Sequence, residues 1–416
     1  MNLLLVAYFY PPCRDTGAHR PAAMVKWLRR LGHRVTVLTT SAYGTGDAAA
    51  EMDVIRSADL QRVRARLHGK DRVDALFDSD TYTGRPHVLS RIIVPEPLAV
   101  AWAPFALRDA LRANSRARFD CVITSSPPES VHMIGRTLRR RGVPWVADLR
   151  DGWTFEPIRP PFPTAAQRRL DERLERRWLG SADAVVCVSR PAAEDLRNRL
   201  GLDSELIPNG WDPDLAVEST GRSVADRLLD PDRLSLVYTG RFGSYGRDPT
   251  ALIEALGALA REHPDDAARL ELVVAGPLTE DEAALMRTDV APARIAIAGT
   301  LNRPEALALQ READALLLLA SSRRTQLLNF KLFEYLAAGP PILALAAGTE
   351  AGRVASEAGG EAVPADDASA IVGALRRLVA GDLEPTDPAL RERYSYPRVA
   401  EHMAEVAERA AATRAV

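Results

Sequence analysis

Leu328-Asn329-Phe330-Lys331-Leu332-Phe333-Glu334-Tyr335-Leu336-Ala337-Ala338-Gly339-Pro340-Pro341-Ile342-Leu343 reads as a short helix that is stopped and then followed at once by a strand. Asn329 stands where a helix cap belongs, and Gly339 with the two prolines stands where a helix ends. An apolar run at 315–319 comes before it, so strand, helix and strand succeed one another in a short span. That succession is the repeating unit of a parallel sheet, whose neighbouring strands need a crossover between them.

The same alternation extends in both directions. Strands are predicted at 235–239, 271–275, 294–298, 315–319 and 342–346, and in the first half at 3–9, 34–39, 121–124, 145–148 and 184–188, with amphipathic helical stretches between them. At 416 residues the chain exceeds one ordinary core. The expected fold class is α/β, with two doubly wound parallel sheets. A first domain is expected over 1–205, a connection over 206–233 and a second domain over 234–396, followed by a last helix over 397–416. Open parallel sheets take ligands beyond the carboxyl ends of their strands. Two such edges facing a central cleft suit an enzyme that joins two substrates. Residues 47–99 show no clear period; they carry Arg56, Arg62, Arg64, Arg66, Lys70 and Arg72 and read as an insertion over the cleft.

Composition narrows the class. Apolar residues at 46% and charged residues at 26% describe a globular chain and exclude a disordered one. No apolar run reaches the roughly 18–20 residues of a membrane span. The opening Met1-Asn2-Leu3-Leu4-Leu5-Val6 reads as a first strand, not a signal peptide, which points to the cytoplasm. Cys13, Cys121 and Cys187 lie in or beside apolar runs without metal spacing and read as packed thiols in a reducing compartment. The net charge of −2 conceals an asymmetry, for residues 1–205 hold 32 basic against 24 acidic side chains. A basic first half suits an anionic partner, such as a membrane face or a phosphorylated acceptor; solvated helix faces are the plain alternative. Arginine-rich runs at 139–141 and 173–177 have no nucleic-acid motif beside them, so no nucleic-acid partner is expected. Lysine occurs three times, at Lys26, Lys70 and Lys331, which draws attention to the one in the 328–343 stretch.

Lys331 and Glu334 are three apart and share a helical face. A helix start after a strand presents free amides and a positive dipole end, which suit a diphosphate. Lys331 is then placed to reach phosphate and Glu334 to accept from ribose hydroxyls, in hydrogen bonds worth roughly 1.5–3 kcal/mol each. The plain alternative is a surface ion pair. The loop after the first strand, 11–20, holds Gly17, His19 and Arg20 but is not G-x-G-x-x-G, which argues against a dinucleotide enzyme. His19 or Arg20 would face the cleft. In Asp148-Leu149-Arg150-Asp151-Gly152-Trp153 a strand end presents two acids, an arginine and an aromatic. Asp148 or Asp151 would take a proton from an acceptor, while Arg150 and Trp153 would contact that acceptor. Asp78-Ser79-Asp80 matches a metal-binding D-x-D, but it lies in a polar stretch with no strand before it and is discounted.

Lys331-Leu332-Phe333-Glu334-Tyr335-Leu336-Ala337-Ala338-Gly339 with Pro341 resembles the donor-site helix of GT-B glycosyltransferases, in the retaining group called glycosyltransferase family 4. Similar too are Tyr8-Phe9-Tyr10-Pro11-Pro12 through Gly17, the 27–39 stretch, Ala182-Asp183-Ala184, Ile207-Pro208-Asn209-Gly210 and Tyr238-Thr239-Gly240-Arg241. The resemblance implies a sugar moved from a nucleoside diphosphate, UDP before GDP or dTDP, with its anomeric configuration kept. It implies no metal or other cofactor beyond that co-substrate. It also implies that Gly17 meets the donor, that Arg241 and Arg247 hold the diphosphate, and that Asn329, Phe330 and Leu332 line the nucleotide site. The last helix would cross back to the first domain. The acceptor would be a glycan, a lipid-linked sugar or a small molecule of the cell envelope, met at an anionic membrane face. The family has a glutamate eight positions before Glu334, where this chain has Gln326. That departure keeps a non-catalytic nucleotide-sugar binder open as an alternative, beside a GT-B-like 2-epimerase.

Overall fold

Strands that run as nearly unbroken apolar stretches are covered on both faces, and β-branched and leucine side chains fill these. In the computed structural model the described residues are 1–44, 52–67, 92–156, 161–216, 224–243, 247–321, 324–328 and 330–414. The first sheet comprises β1 (Asn2–Ala7), β2 (Arg34–Thr40), β3 (Val54–Ser57), β4 (Cys121–Ser126), β5 (Trp145–Leu149), β6 (Ala184–Cys187) and β7 (Glu205–Leu206), in the order β3-β2-β1-β4-β5-β6-β7. The second comprises β8 (Leu234–Thr239), β9 (Leu270–Ala275), β10 (Arg294–Gly299), β11 (Ala315–Leu319), β12 (Ile342–Leu345) and β13 (Glu361–Val363), in the order β10-β9-β8-β11-β12-β13. All pairings between these strands are parallel.

The ten predicted strands are all present, and β3, β7 and β13 are additions. Each addition is short and sits at or near a sheet edge, so its half-exposed polar side chains hide the apolar signal. β3 corrects the reading of 47–99 as an insertion: Val54–Ser57 is an edge strand of the first sheet, followed by the helix Leu60–Leu67.

Two compact units result, Met1–Asn209 with Tyr396–Val416, and Gly210–Ser395. In the first, the helix Tyr396–Ala412 packs on the helix His19–Arg30 and on β4 and β5. Arg409 bonds Glu205 at 2.7 Å and Arg414 reaches Asp183 at 3.2 Å. The core of this unit gathers Trp102, Trp145 and Trp153. Near the start of the second unit, Trp211 Nε1 donates to the Arg391 carbonyl at 2.8 Å. Its cores are built on Tyr238, Phe242, Phe333 and Tyr335. The three cysteines are buried and form no disulfide. No described helix is long and apolar enough to cross a membrane.

Strand order reverses between β1 and β4 in one sheet and between β8 and β11 in the other. Chain leaving neighbouring strands diverges at such points and opens a crevice beyond their carboxyl ends. The loop around Gly17 follows β1, the loop around Gly240 follows β8, and the helix Phe330–Ala338 follows β11.

Candidate functional site

The second crevice is organised around Tyr238, the penultimate residue of β8. Phe242 stacks on its ring at 4.0 Å and 6°, and Lys331 Nζ lies 3.7 Å from the same ring's centroid. Neither group leaves room for the other on one face, so the ring is held between them. The Tyr238 hydroxyl donates to the Arg241 carbonyl at 2.6 Å, which folds the β8 loop back on itself. Gly240 is required there by two facts: its φ is +101°, and a side-chain carbon would stand 3.1 Å from Lys331 Nζ. Gly276, after β9, is pressed closer still, for a Cβ there would lie 2.2 Å from the Gly240 oxygen.

Tyr335 fastens the helix Phe330–Ala338 to this loop. Its hydroxyl oxygen accepts from the Thr239 amide at 3.1 Å, and Gln310 donates to the Thr239 hydroxyl at 2.9 Å. Lys331 is thereby fixed with its ammonium shielded from solvent and without a hydrogen-bond partner among the described residues. Burial first, and then the nearby Arg247, hold its pKa well below the usual lysine value, with Glu334 opposing them. A buried amino group with a cation beside it is the arrangement that an anion would complete. Glu334, one turn on, takes its partner from elsewhere: Arg303 Nη2 donates to its Oε1 at 2.8 Å. The Lys331–Glu334 ion pair weighed as the plain alternative is not formed.

In the first unit the crevice floor is a charge network. Arg20 is buried and donates to Asp148 through Nη2 at 2.9 Å and Nε at 3.2 Å. Ser125 adds a third hydrogen bond to that carboxylate at 2.8 Å. The same guanidinium donates to the carbonyls of Ile207 and Pro208 at 2.9 and 2.6 Å. Arg150 donates to the carbonyls of Ser126, Pro127 and Gly17. A Cβ on Gly17 would lie 2.9 Å from Asp15 Oδ1 and 3.1 Å from Arg150 Nη1.

Residues 22–215 match the family model described as Glycosyltransferase Family 4, and residues 233–381 match the one described as Glycosyl transferases group 1. This chain is a glycosyltransferase of the family 4 kind. It is a nucleotide-sugar glycosyltransferase with the GT-B fold. Among solved structures it is similar to a sucrose-phosphate synthase from Thermosynechococcus elongatus, at 18% identity over 97% of each chain, with a TM-score of 0.60. An α,α-trehalose 6-phosphate synthase from Burkholderia multivorans is similar at 16% identity over 99% of each chain, with a TM-score of 0.61. Anabaena HepE, solved in complex with UDP, is similar at 13% identity over 97% of this chain and 99% of its own, with a TM-score of 0.56. Likeness at these identities speaks for the fold. No curated protein sequence matches this chain.

For this glycosyltransferase, several predicted site residues gain a different role from their surroundings. Asp148 is 3% exposed and its two oxygens are taken by Arg20 and Ser125, so it holds the crevice floor and is not placed to take a proton. Arg20, expected to face the cleft, is 1% exposed. Arg150 has its donors on three carbonyls, which makes it a brace for the Gly17 loop and not an acceptor contact. Trp153 is 1% exposed; its Nε1 donates to Asp171 at 2.9 Å and its ring lies on His132 and Trp178, so it belongs to the core. Leu332 is likewise wholly buried. Asp151 and His19 are half-buried, as are Arg247 and Phe330. Arg241 is exposed and Gln326 is buried. Asn329 and the Asp78–Asp80 pair lie outside the described residues.

Sequence reasoning missed Arg303 and the structural part played by Tyr238, Gly276 and Tyr335. Arg303 opens the helix Arg303–Glu312 behind the Asn302 cap and looks like any first-turn arginine. Its pairing with Glu334 joins positions 31 apart, and no local pattern announces such a contact.

Proposed function

We propose that this glycosyltransferase moves a sugar from UDP-sugar to the hydroxyl of a lipid-linked or glycan acceptor of the cell envelope, keeping the anomeric configuration. The observation that carries the donor half is Lys331, whose ammonium is buried over Tyr238 with no acceptor among the described residues. A diphosphate supplies the missing acceptor. Lys331 and Arg247 lie close enough to affect each other's charge, and Arg241 stands at the start of the same loop. As the glycosidic bond breaks, charge grows on the leaving diphosphate, and fixed cations stabilise that growth more than the ground state. In this reading the cations do what a metal ion does elsewhere. Glu334 keeps Oε2 for the ribose while Arg303 holds Oε1. Asp151 remains the acid nearest the β5 end for the acceptor, and an oxygen of the leaving diphosphate takes the acceptor's proton. UDP is preferred over other nucleotides because of the resemblance of the donor helix, and the UDP complex of Anabaena HepE is consistent with it.

The reading is tested by thermal shift with UDP, GDP and dTDP. A ligand held by the folded form alone adds about 2.7 kcal/mol at a hundredfold excess over its Kd. UDP is expected to give the largest shift, and Glu334→Ala to remove most of it. An equal shift in that variant would overturn the donor-site assignment. Slow release of UDP from a UDP-sugar then separates a transferase from the non-catalytic binder that Gln326 left open.

A further inference from the structure

Arg303 and Glu334 stand on backbones that are fixed before the two side chains meet. Arg303 is the first residue of the helix Arg303–Glu312, whose start is set by a capping box. The Asn302 side chain accepts from the Glu305 amide at 2.9 Å, and the Glu305 carboxylate accepts from the Asn302 amide at 3.2 Å. Pro304 follows in the first turn, where a missing amide proton costs nothing. Glu334 lies between Phe333 and Tyr335, both wholly buried, and the Tyr335 hydroxyl ties that helix to the Thr239 amide.

The pair leaves half of each group unused. Arg303 Nη2 donates to Glu334 Oε1, and among the described residues nothing accepts from Arg303 Nε or Nη1 and nothing donates to Glu334 Oε2. The two side chains are 44% and 23% exposed, and an ion pair this open to water adds little to the stability of a fold. Stability therefore does not account for the arrangement. A carboxylate accepts, a guanidinium donates, and a hydroxyl does both. Two adjacent hydroxyls complete such a pair: one gives its proton to Oε2, and the oxygen of the other takes an N–H from Arg303. An anion is disfavoured at the same place, because the Glu334 carboxylate would repel it. Lys331, assigned above to the diphosphate, precedes Glu334 on the same helix by a rise of about 4.5 Å. That spacing suits a sugar diol and a phosphate on the same nucleoside.

We propose that Arg303 and Glu334 together read the 2′,3′-diol of the donor's nucleoside, with Arg303 as the specificity-determining half. The enzyme then takes ribonucleoside diphosphates and rejects their 2′-deoxy counterparts. This rests on the donor reading above and narrows it, for a dTDP-sugar has no 2′-hydroxyl and leaves the free donors of Arg303 without an acceptor. A site built to hydrogen-bond a hydroxyl discriminates against the analogue that lacks it, because its own polar groups are then left unpaired.

The test is titration calorimetry of the full chain with UDP and with 2′-deoxy-UDP, which share base and diphosphate and differ in one hydroxyl. Wild type is expected to bind UDP about tenfold more tightly or better, as one hydrogen bond to a charged group provides. Arg303→Ala is expected to weaken UDP about tenfold while changing 2′-deoxy-UDP little, so that the preference disappears. The ratio of the two affinities is the deciding quantity, since a general loosening of the site weakens both nucleotides alike. Equal weakening of both in the variant, or no preference in wild type, would overturn the role of Arg303 and leave the UDP site in place. Failure of wild type to bind either nucleotide would overturn the donor reading, and this inference with it.

Discussion

Lys331 works against the stability of the unliganded fold. Leaving a buried donor without a partner costs about 1–3 kcal/mol, more for a charge. Lys331→Met keeps the length of the side chain and removes the charge, so it is expected to raise the unliganded melting temperature while abolishing the UDP shift. A fall in the unliganded melting temperature would contradict the orphaned ammonium. The pH dependence has a definite sign. With the folded pKa below the free value of about 10.4, the unfolded chain binds more protons between the two, so this residue makes stability rise with pH across that window. A bound diphosphate favours the charged form and restores the proton. UDP binding at mildly alkaline pH should therefore take up a proton, visible as a binding enthalpy that depends on the ionisation enthalpy of the buffer. Lys331 and Glu334 were readable as a pair because helical spacing puts them on one face. Their separate partners, the Tyr238 ring and Arg303, were not readable, because those contacts join segments that only the folded sheet brings together.

Nine of the ten strands that the sequence revealed have mostly buried runs and the tenth, β10, is an exposed edge strand of Ile and Ala, while β3, β7 and β13 are edge strands of only two to four residues, too short to show a pattern. The loops that leave the strands misled more often, since Asp148, Arg150 and Trp153 look like a reactive strand end and prove to be supports. Trp153 is the instructive case. It stacks on His132, the second residue of the helix Val131–Arg139, which is itself fully buried. The Thr124 hydroxyl oxygen accepts from Trp145 Nε1 at 2.7 Å and shares a hydrogen bond of 2.8 Å with His132 Nδ1. Burial pushes the imidazole pKa down to about 3. Unfolded histidine titrates near 6.5, so the unfolded chain gains a proton first, and this site makes stability fall as pH drops from about 6.5 toward 3. His132→Phe should flatten that limb of a denaturation series run against pH. An unchanged slope would mean the imidazole is not held neutral.

The division of the chain into two units assigns the proposed nucleotide residues to one of them and leaves Gly17, the other expected donor contact, in the first. Tyr238, Gly240, Arg247, Arg303, Lys331 and Glu334 fall in Gly210–Ser395, which has cores of its own. The charge asymmetry seen in the sequence, with its basic excess before residue 206, belongs to the other unit. Tryptophan distribution offers a way to watch the units separately. Of six tryptophans, Trp27, Trp102, Trp145, Trp153 and Trp178 lie in the first unit and Trp211 in the second. Multidomain chains commonly depart from a single two-state transition, and a ligand stabilises the species that binds it. Saturating UDP is therefore expected to raise a calorimetric transition of the second unit further than the melt reported by tryptophan fluorescence. Equal displacement of both signals would show one cooperative block, in which occupancy of the nucleotide site is felt by the tryptophan core of the first sheet. The expected splitting would instead leave the first unit's stability to its own supports, among them the Arg20–Asp148 pair and the returning helix Tyr396–Ala412.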